Sequence, residues 1–371
     1  MSSYIPPANN WALAAPGDVG FDPQRLAHAL NFATQAETRW PRSLEAAMKA
    51  DPDNNEPPPW NDVIGPTLDR DAPSGVVIRG GKMVGAYGDP TRVEMTFSVA
   101  KSYLSLLTGI ALDRGLIKSL DDTVREYGLD DDFDSEQNRA ITWRHLLYQS
   151  SEWTGTLFSK PDLIDHHRQV GVGANNSRKG QPRELQRPGT FYEYNDVRVN
   201  RLSLSLMQLF EQPLETVLRE SIMVPLGASD TWSWKPYFNS EVDVKGQMLA
   251  SVPGGSHWGG GIFINSEDHA RVALMVLREG LWGEQQIVPR EFLREITKPS
   301  PCFDLYGMLW WLNTEQRYYA NAPQTSIFAM GAGTHLLWID RELDLVAVFR
   351  WIDNRKVNEL IGLIMQALKT R

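Results

Sequence analysis

Ser98-Val99-Ala100-Lys101 sits between Glu94-Met95-Thr96-Phe97 and the apolar run Tyr103-Leu104-Ser105-Leu106-Leu107. Read as the first turn of a helix, the tetrapeptide puts residues three apart on one face, so the Lys101 amine lies beside the Ser98 hydroxyl. A serine hydroxyl becomes a useful nucleophile when a neighbouring base takes its proton, and a partly buried lysine with a depressed pKa is one such base. Unpaired N–H groups at the helix start favour negative charge developing on the serine oxygen or on a substrate oxyanion beside it. With 24 serines and 11 lysines in 371 residues, about 0.7 matches to S-x-x-K arise by chance. The tetrapeptide therefore needs partners elsewhere in the chain.

Working outward, Gly75-Val76-Val77-Ile78-Arg79, Gly80-Gly81 and Lys82-Met83-Val84-Gly85-Ala86-Tyr87 read as a tight hairpin just upstream of Ser98. Asp22 caps and Pro23 starts a helix to about Gln35. Residues 40–73, rich in Pro, Asp and Asn, read as a surface excursion where little chemistry is expected. From Ser98 the helical spacing runs to about Gly115. Leu120–Val124 and Thr142–Leu147 read as short helical pieces, and 150–155 as loop. Thr334–Asp340 and Leu343–Trp351 are β-rich runs around Arg341-Glu342, followed by a helical pattern from Lys356 to Lys369.

Composition bounds the function. A hydrophobic fraction of 42% over 371 residues supplies an ample core. A net charge of −9 without a Lys/Arg stripe argues against nucleic acid and anionic membranes as partners. The single cysteine, Cys302, excludes an internal disulfide and a cysteine-based zinc site. No secretory pattern opens the sequence and no apolar run approaches 18 residues, so a cytoplasmic location is expected. No G-x-S-x-G elbow, P-loop or H-E-x-x-H motif occurs, and His166-His167 beside Asp165 is a poor metal pair; neither a metal nor a cofactor is expected.

Further motifs stand downstream in order: Pro188-Gly189-Thr190 leading to Tyr194-Asn195-Asp196, then Gly331-Ala332-Gly333 before a strand pair. Together with Ser98-Val99-Ala100-Lys101 they make the chain resemble the serine β-lactamase-related hydrolases along nearly its whole length. That superfamily includes class C β-lactamases, D-amino-acid peptidases, family VIII carboxylesterases and 6-aminohexanoate-dimer hydrolases. The resemblance implies an α+β fold, an antiparallel β-sheet flanked by helices with a mostly helical second subdomain. Residues 1–95 and 240–371 would build the sheet domain, and 96–239 the helical part with the site between them.

The resemblance also implies roles. Ser98 would be acylated, Lys101 would share its proton, and Tyr194 would move that proton to the leaving group, with either Lys101 or Tyr194 as the base. Tyr192 competes with Tyr194, but the three-residue spacing after Pro188-Gly189-Thr190 favours Tyr194 and leaves Tyr192 to packing. Asp196 stands where relatives often carry asparagine, which either places a carboxylate near Lys101 or passes the amide role to Asn195. The Ser98 and Ala332 amides would form the oxyanion hole, and Gly331 and Gly333 would let a substrate approach. Trp153, Trp258, Trp310 and Trp311 fall in segments that relatives fold around the cleft, with Trp153 and Trp258 expected on the substrate. Ala329 replaces a Lys or His that binds a substrate carboxylate in β-lactam-handling relatives, which points to a neutral acyl substrate. A small ester is thus the first substrate reading, a small amide the second, and a non-catalytic small-molecule binder of the same fold the reading from another class.

Overall fold

The computed structural model describes residues 4–50, 56, 58, 60–171 and 173–369. Its centre is a six-stranded antiparallel sheet that both ends of the chain build. The strands are β1 (Ser74–Arg79), β2 (Lys82–Tyr87), β3 (Trp311–Leu312), β4 (Ile327–Gly331), β5 (His335–Asp340) and β6 (Leu345–Arg350), in the order β3-β4-β5-β6-β1-β2. The expected hairpin turns at Gly80-Gly81 and pairs Gly75 with Tyr87, with a bulge between Val77 and Ile78. β1 then pairs along β6, Val77 opposite Ala347.

Every residue of β5 and β6 is buried, so both faces of the sheet are covered and these strands read as continuous apolar runs. Helix α1 (Pro23–Gln35), capped by Asp22 as its sequence predicts, packs on β2 and on the C-terminal helix Val357–Ala367. The helix Ser266–Leu277 covers β1, β5 and β6.

The helix that begins at Ser98, α2 (Val99–Asp113), is buried from Val99 to Ala111. It is buried all round rather than along one stripe, which marks a central helix. It ends two residues short of the expected Gly115, whose φ of +67° turns the chain away. On one side it contacts β4; on the other lies α3 (Asp196–Phe210).

One expectation needs correction: Leu120–Thr123 forms a turn, and the following 3₁₀ helix is Val124–Tyr127. Within 96–239 the regular structure is mainly helical, and the described residues between Asp165 and Asp196 form neither helix nor strand. Polar anchors hold that stretch instead. Half-buried Arg183 and buried Arg198, both paired with Glu152, reach Glu193 from two directions, and the Glu193 and Asn195 amides donate to the Gln149 carbonyl and side chain at 3.0 and 2.9 Å. These contacts fix the loop that delivers Tyr194.

Candidate active site

Ser98 stands at the N-cap of α2 with φ −69° and ψ −3°. Phe97, one residue earlier, lies in the left-handed region at φ +48°, a conformation that costs a side-chain-bearing residue on the order of 1–3 kcal/mol. An aromatic enclosure holds it there: Trp40, His335 and Trp351 surround the ring with centroids 5.6, 5.8 and 6.3 Å away. The strained residue turns the chain sharply into the helix and presents Ser98 at its tip. β4 closes against the same point. A Cβ on Gly331 would lie 2.3 Å from the Thr96 carbonyl and 3.2 Å from the Ser98 nitrogen, so glycine is what lets the strand end touch the serine. Gly331→Ala is expected to push β4 off Ser98 and to lower turnover by about 10²-fold, the size of effect a 1 Å misplacement produces. A kcat measured beside an unfolding curve separates this loss from instability.

The Lys101 ammonium donates to Ser98 Oγ at 2.8 Å. It also contacts the Asp196 carboxylate and sits 4.7 Å from the Tyr194 ring centroid. Ser98, Lys101 and Tyr194 are thus brought together, although Tyr194 lies almost a hundred residues away in sequence. The depressed lysine pKa that the sequence suggested is not found. Burial pulls the ammonium down, but Asp196 and then Tyr194 more than offset it, so the pKa stands above the ordinary lysine value. Its carboxylate neighbour thus favours the cationic form of Lys101. Asp196 shows the converse: burial would raise its pKa, yet Arg168 and Lys101 hold it well below the usual carboxylate range.

Tyr194 is buried, stacks on Trp311 at 5.9 Å and has the Arg168 guanidinium 5.3 Å from its centroid. Tyr192 packs on Phe303 and Tyr306 at 4.6 and 5.3 Å, the packing role expected of it. Asn195, expected on the substrate, is instead fully buried at the start of α3. Its side chain accepts from the Arg198 amide at 3.1 Å and donates to the Asp162 carbonyl at 2.9 Å, which is the work of a helix cap.

A cavity of about 400 Å³ opens at Ser98. Tyr194, Met330, Gly331, Ala332, Gly333 and His335 line it, with Trp40, Trp311, Tyr318 and Tyr319 as an aromatic wall. A smaller recess that also borders Ser98 is lined by Phe97, Arg168, Asp196, His257, Trp258 and Ala332. Trp258 therefore borders the recess beside Ser98. Trp153 does not: its buried indole donates to the Asp132 carbonyl at 3.3 Å and lines neither space. Trp310 is wholly buried and likewise lines neither. Ala329 is buried within β4 and brings no charge. The guanidiniums that reach the larger cavity come from Arg39, Arg168 and Arg355, and Asp196 and Asp353 match the last two.

Several polar residues at the site escaped the sequence reading. Arg168 donates to Asp196 at 2.7 Å. His257 stands between Asp196 and Glu56, and Glu56 is also engaged by Lys179 and by the Trp258 indole. Trp40 and Glu56 both belong to the excursion 40–73, so that segment builds part of the wall and floor of the site, contrary to expectation. The apolar Trp40 inside a polar, proline-rich stretch was the signal that could have revealed it.

The Beta-lactamase family model matches residues 60–356. The chain belongs to the beta-lactamase family. Solved structures agree on the fold for this beta-lactamase-family chain. A putative 6-aminohexanoate-dimer hydrolase from Bacillus anthracis is similar at a TM-score of 0.57 and 14% identity, over 99% of this chain and 86% of that one. EstCE1, described as a hydrolase with promiscuous acyltransferase activity, gives 0.58 and 14% over 94% and 99%. A putative beta-lactamase from Bacteroides dorei gives 0.56 and 16% over 79% and 93%. No curated protein matches the sequence. Among the described residues, no helix is long and apolar enough to cross a membrane, and no cluster of His, Cys, Asp and Glu has the arrangement of a metal site.

Proposed function

We propose that this beta-lactamase-family chain is a serine hydrolase that works through an acyl-enzyme on Ser98, with small neutral esters as its first substrates. The observation that carries the reading is the Lys101 ammonium donating to Ser98 Oγ at 2.8 Å beneath a cavity walled by aromatic rings. The Ser98 oxygen attacks the acyl carbon and its proton leaves. A cationic Lys101 holds the oxygen but has no lone pair to accept that proton, so in this reading the acceptor is its buried neighbour Tyr194, which takes the proton as the phenolate and becomes the phenol. Tyr194 then returns the proton to the departing alkoxide. The ester bond breaks, and water later attacks the acyl-serine by the same proton path in reverse. The backbone N–H groups of Ser98 and Ala332, both bordering the smaller recess, are the donors for the oxyanion.

The substrate reading rests on the wall and on Ala329. Trp40, Trp311, Tyr318 and Tyr319 offer apolar surface, and the strand position that binds a carboxylate in β-lactam-handling relatives carries only a methyl group. An amide substrate is the second reading. It demands full protonation of an amine leaving group, so the ratio of amide to ester turnover decides between the two.

Wild type assayed on short-chain aryl esters, matched anilides and a chromogenic cephalosporin should show turnover in the order ester, amide, cephalosporin. Cephalosporin turnover above ester turnover would overturn the substrate reading. Tyr194→Phe is expected to lower kcat on the best ester by about 10²–10⁴-fold, a loss seen in steady-state kinetics with the fold intact by circular dichroism.

A further inference from the structure

Beside Ser98 lies a titratable group that the proton path above does not use. The His257 side chain is 7% exposed, its ring 4.4 Å from that of Trp258. Nε2 faces Glu56 Oε1 at 2.8 Å. Nδ1 has two neighbours of opposite kind: Arg168 Nη2, a donor, at 3.2 Å, and Asp196 Oδ2, an acceptor, at 3.5 Å. Asp196 in turn touches Lys101, which donates to Ser98. The charged groups around the ring arrive from three segments: Glu56 from the excursion, Arg168 from the loop after Asp165, and Asp196 from the start of α3. Behind them, Lys179 contacts Glu56 and lies 3.5 Å from Asp165.

The two faces of Nδ1 cannot be satisfied together. With Nδ1 unprotonated, Nε2–H donates to Glu56 and Nδ1 accepts from Arg168, leaving the Asp196 carboxylate to Lys101 and Arg168. The cluster is then balanced, with Lys101, Arg168 and Lys179 against Asp196, Glu56 and Asp165. With Nδ1 protonated, the ring repels Arg168 and donates to Asp196, competing with Lys101 for the same carboxylate.

We propose that His257, clamped by Glu56, is a positioning residue that sets how firmly Asp196 holds Lys101 against Ser98, and so imposes an acid limb on the turnover of the site. The inference rests on the serine-hydrolase reading above. Burial is the largest influence and opposes the imidazolium, as does Arg168, but Glu56 and Asp196 together more than offset them, so the His257 pKa stands above the ordinary histidine value. Glu56, which burial alone would raise, is held far below the usual carboxylate range by His257 and Lys179, so the clamp stays charged where the histidine titrates. Removing the Glu56 charge while keeping its shape must therefore lower the pH at which His257 protonates.

The test follows kcat and KM across pH 4.5–9 for wild type, Glu56→Gln and His257→Gln, with Ser98→Ala as the chemical control. Glu56→Gln should move the acid limb down by about one pH unit, as loss of an adjacent opposite charge does. His257→Gln should flatten the limb, with KM within about twofold of wild type. In parallel, the His257 ring C–H resonance, assigned by its absence from His257→Gln, is titrated in the Ser98→Ala background with and without Glu56→Gln, and its midpoint should fall by the same amount. An acid limb unmoved in both variants, or a ring midpoint indifferent to Glu56→Gln, overturns the proposal. If Ser98→Ala keeps wild-type turnover, the parent reading fails on its own, and the ring midpoint still decides whether Glu56 clamps His257. Glu56→Gln is isosteric and keeps this test available should His257→Gln fail to fold.

Discussion

Ser98→Ala is expected to abolish turnover of short-chain aryl esters, by at least about 10⁴-fold in kcat, and to remove labelling by a fluorophosphonate probe. The size follows from what the substitution takes away. A covalent route splits acyl transfer into two lower barriers, and without the serine oxygen only binding and oxyanion stabilisation remain. The change is also small structurally. Ser98 makes no side-chain cap to α2, so losing its oxygen removes the acceptor of one Lys101 hydrogen bond and no capping interaction. Stability should therefore change little while activity disappears, and an unfolding curve run beside the assay shows the two effects apart.

Asp196→Ala is expected to have the largest effect on stability, about 3–5 kcal/mol, because it strips the shared carboxylate from buried Lys101 and from Arg168, whose side chain is only 7% exposed. On a chain of this size that corresponds to a fall in Tm of about 4–6 °C. Asp196→Asn should do less damage, since an amide of the same shape fills the space and still offers its one oxygen to one of the two cations, with its NH₂ facing the other. The pH dependence has a defined sign. Folding lowers the Asp196 pKa from its ordinary 3.8, so its contribution is fully present above about pH 4 and is lost as pH falls further. The gap in Tm between wild type and Asp196→Ala should accordingly narrow below about pH 4. The raised pKa of Lys101 is the other side of the same contact, its benefit fading only as pH rises above the lysine range, and the two are one interaction rather than two. Thermal melts at pH 7 and at pH 3 measure both points.

What could be read from the sequence was local or marked by turn chemistry. Ser98 and Lys101 are one helical turn apart, so spacing alone brings them together. The Gly80-Gly81 hairpin, the Asp22-Pro23 helix start and the two C-terminal strands carry their own punctuation. Tyr194 came from its distance to Pro188-Gly189-Thr190, a family spacing rather than a physical periodicity. The rest of the site is assembled by tertiary structure. Glu56, Arg168 and His257 lie in irregular segments about 90–200 residues apart, and nothing in their neighbourhoods distinguishes them from solvated side chains until the chain folds. Asn195 illustrates the opposite error, since an asparagine before a helix serves equally well as a cap or as a ligand, and here it caps. Lys101 shows why composition cannot settle a protonation state: burial predicts a depressed pKa, and Asp196 together with Tyr194 reverses it.

The central claim is that Ser98 becomes covalently acylated, and intact-mass spectrometry of the protein quenched in acid during turnover of an activated aryl ester tests it most directly. The expected result is one added acyl group per chain, mapped by peptide sequencing to Ser98 and absent from Ser98→Ala. Turnover with no adduct on Ser98 under single-turnover conditions, or an adduct that persists in Ser98→Ala, would contradict it.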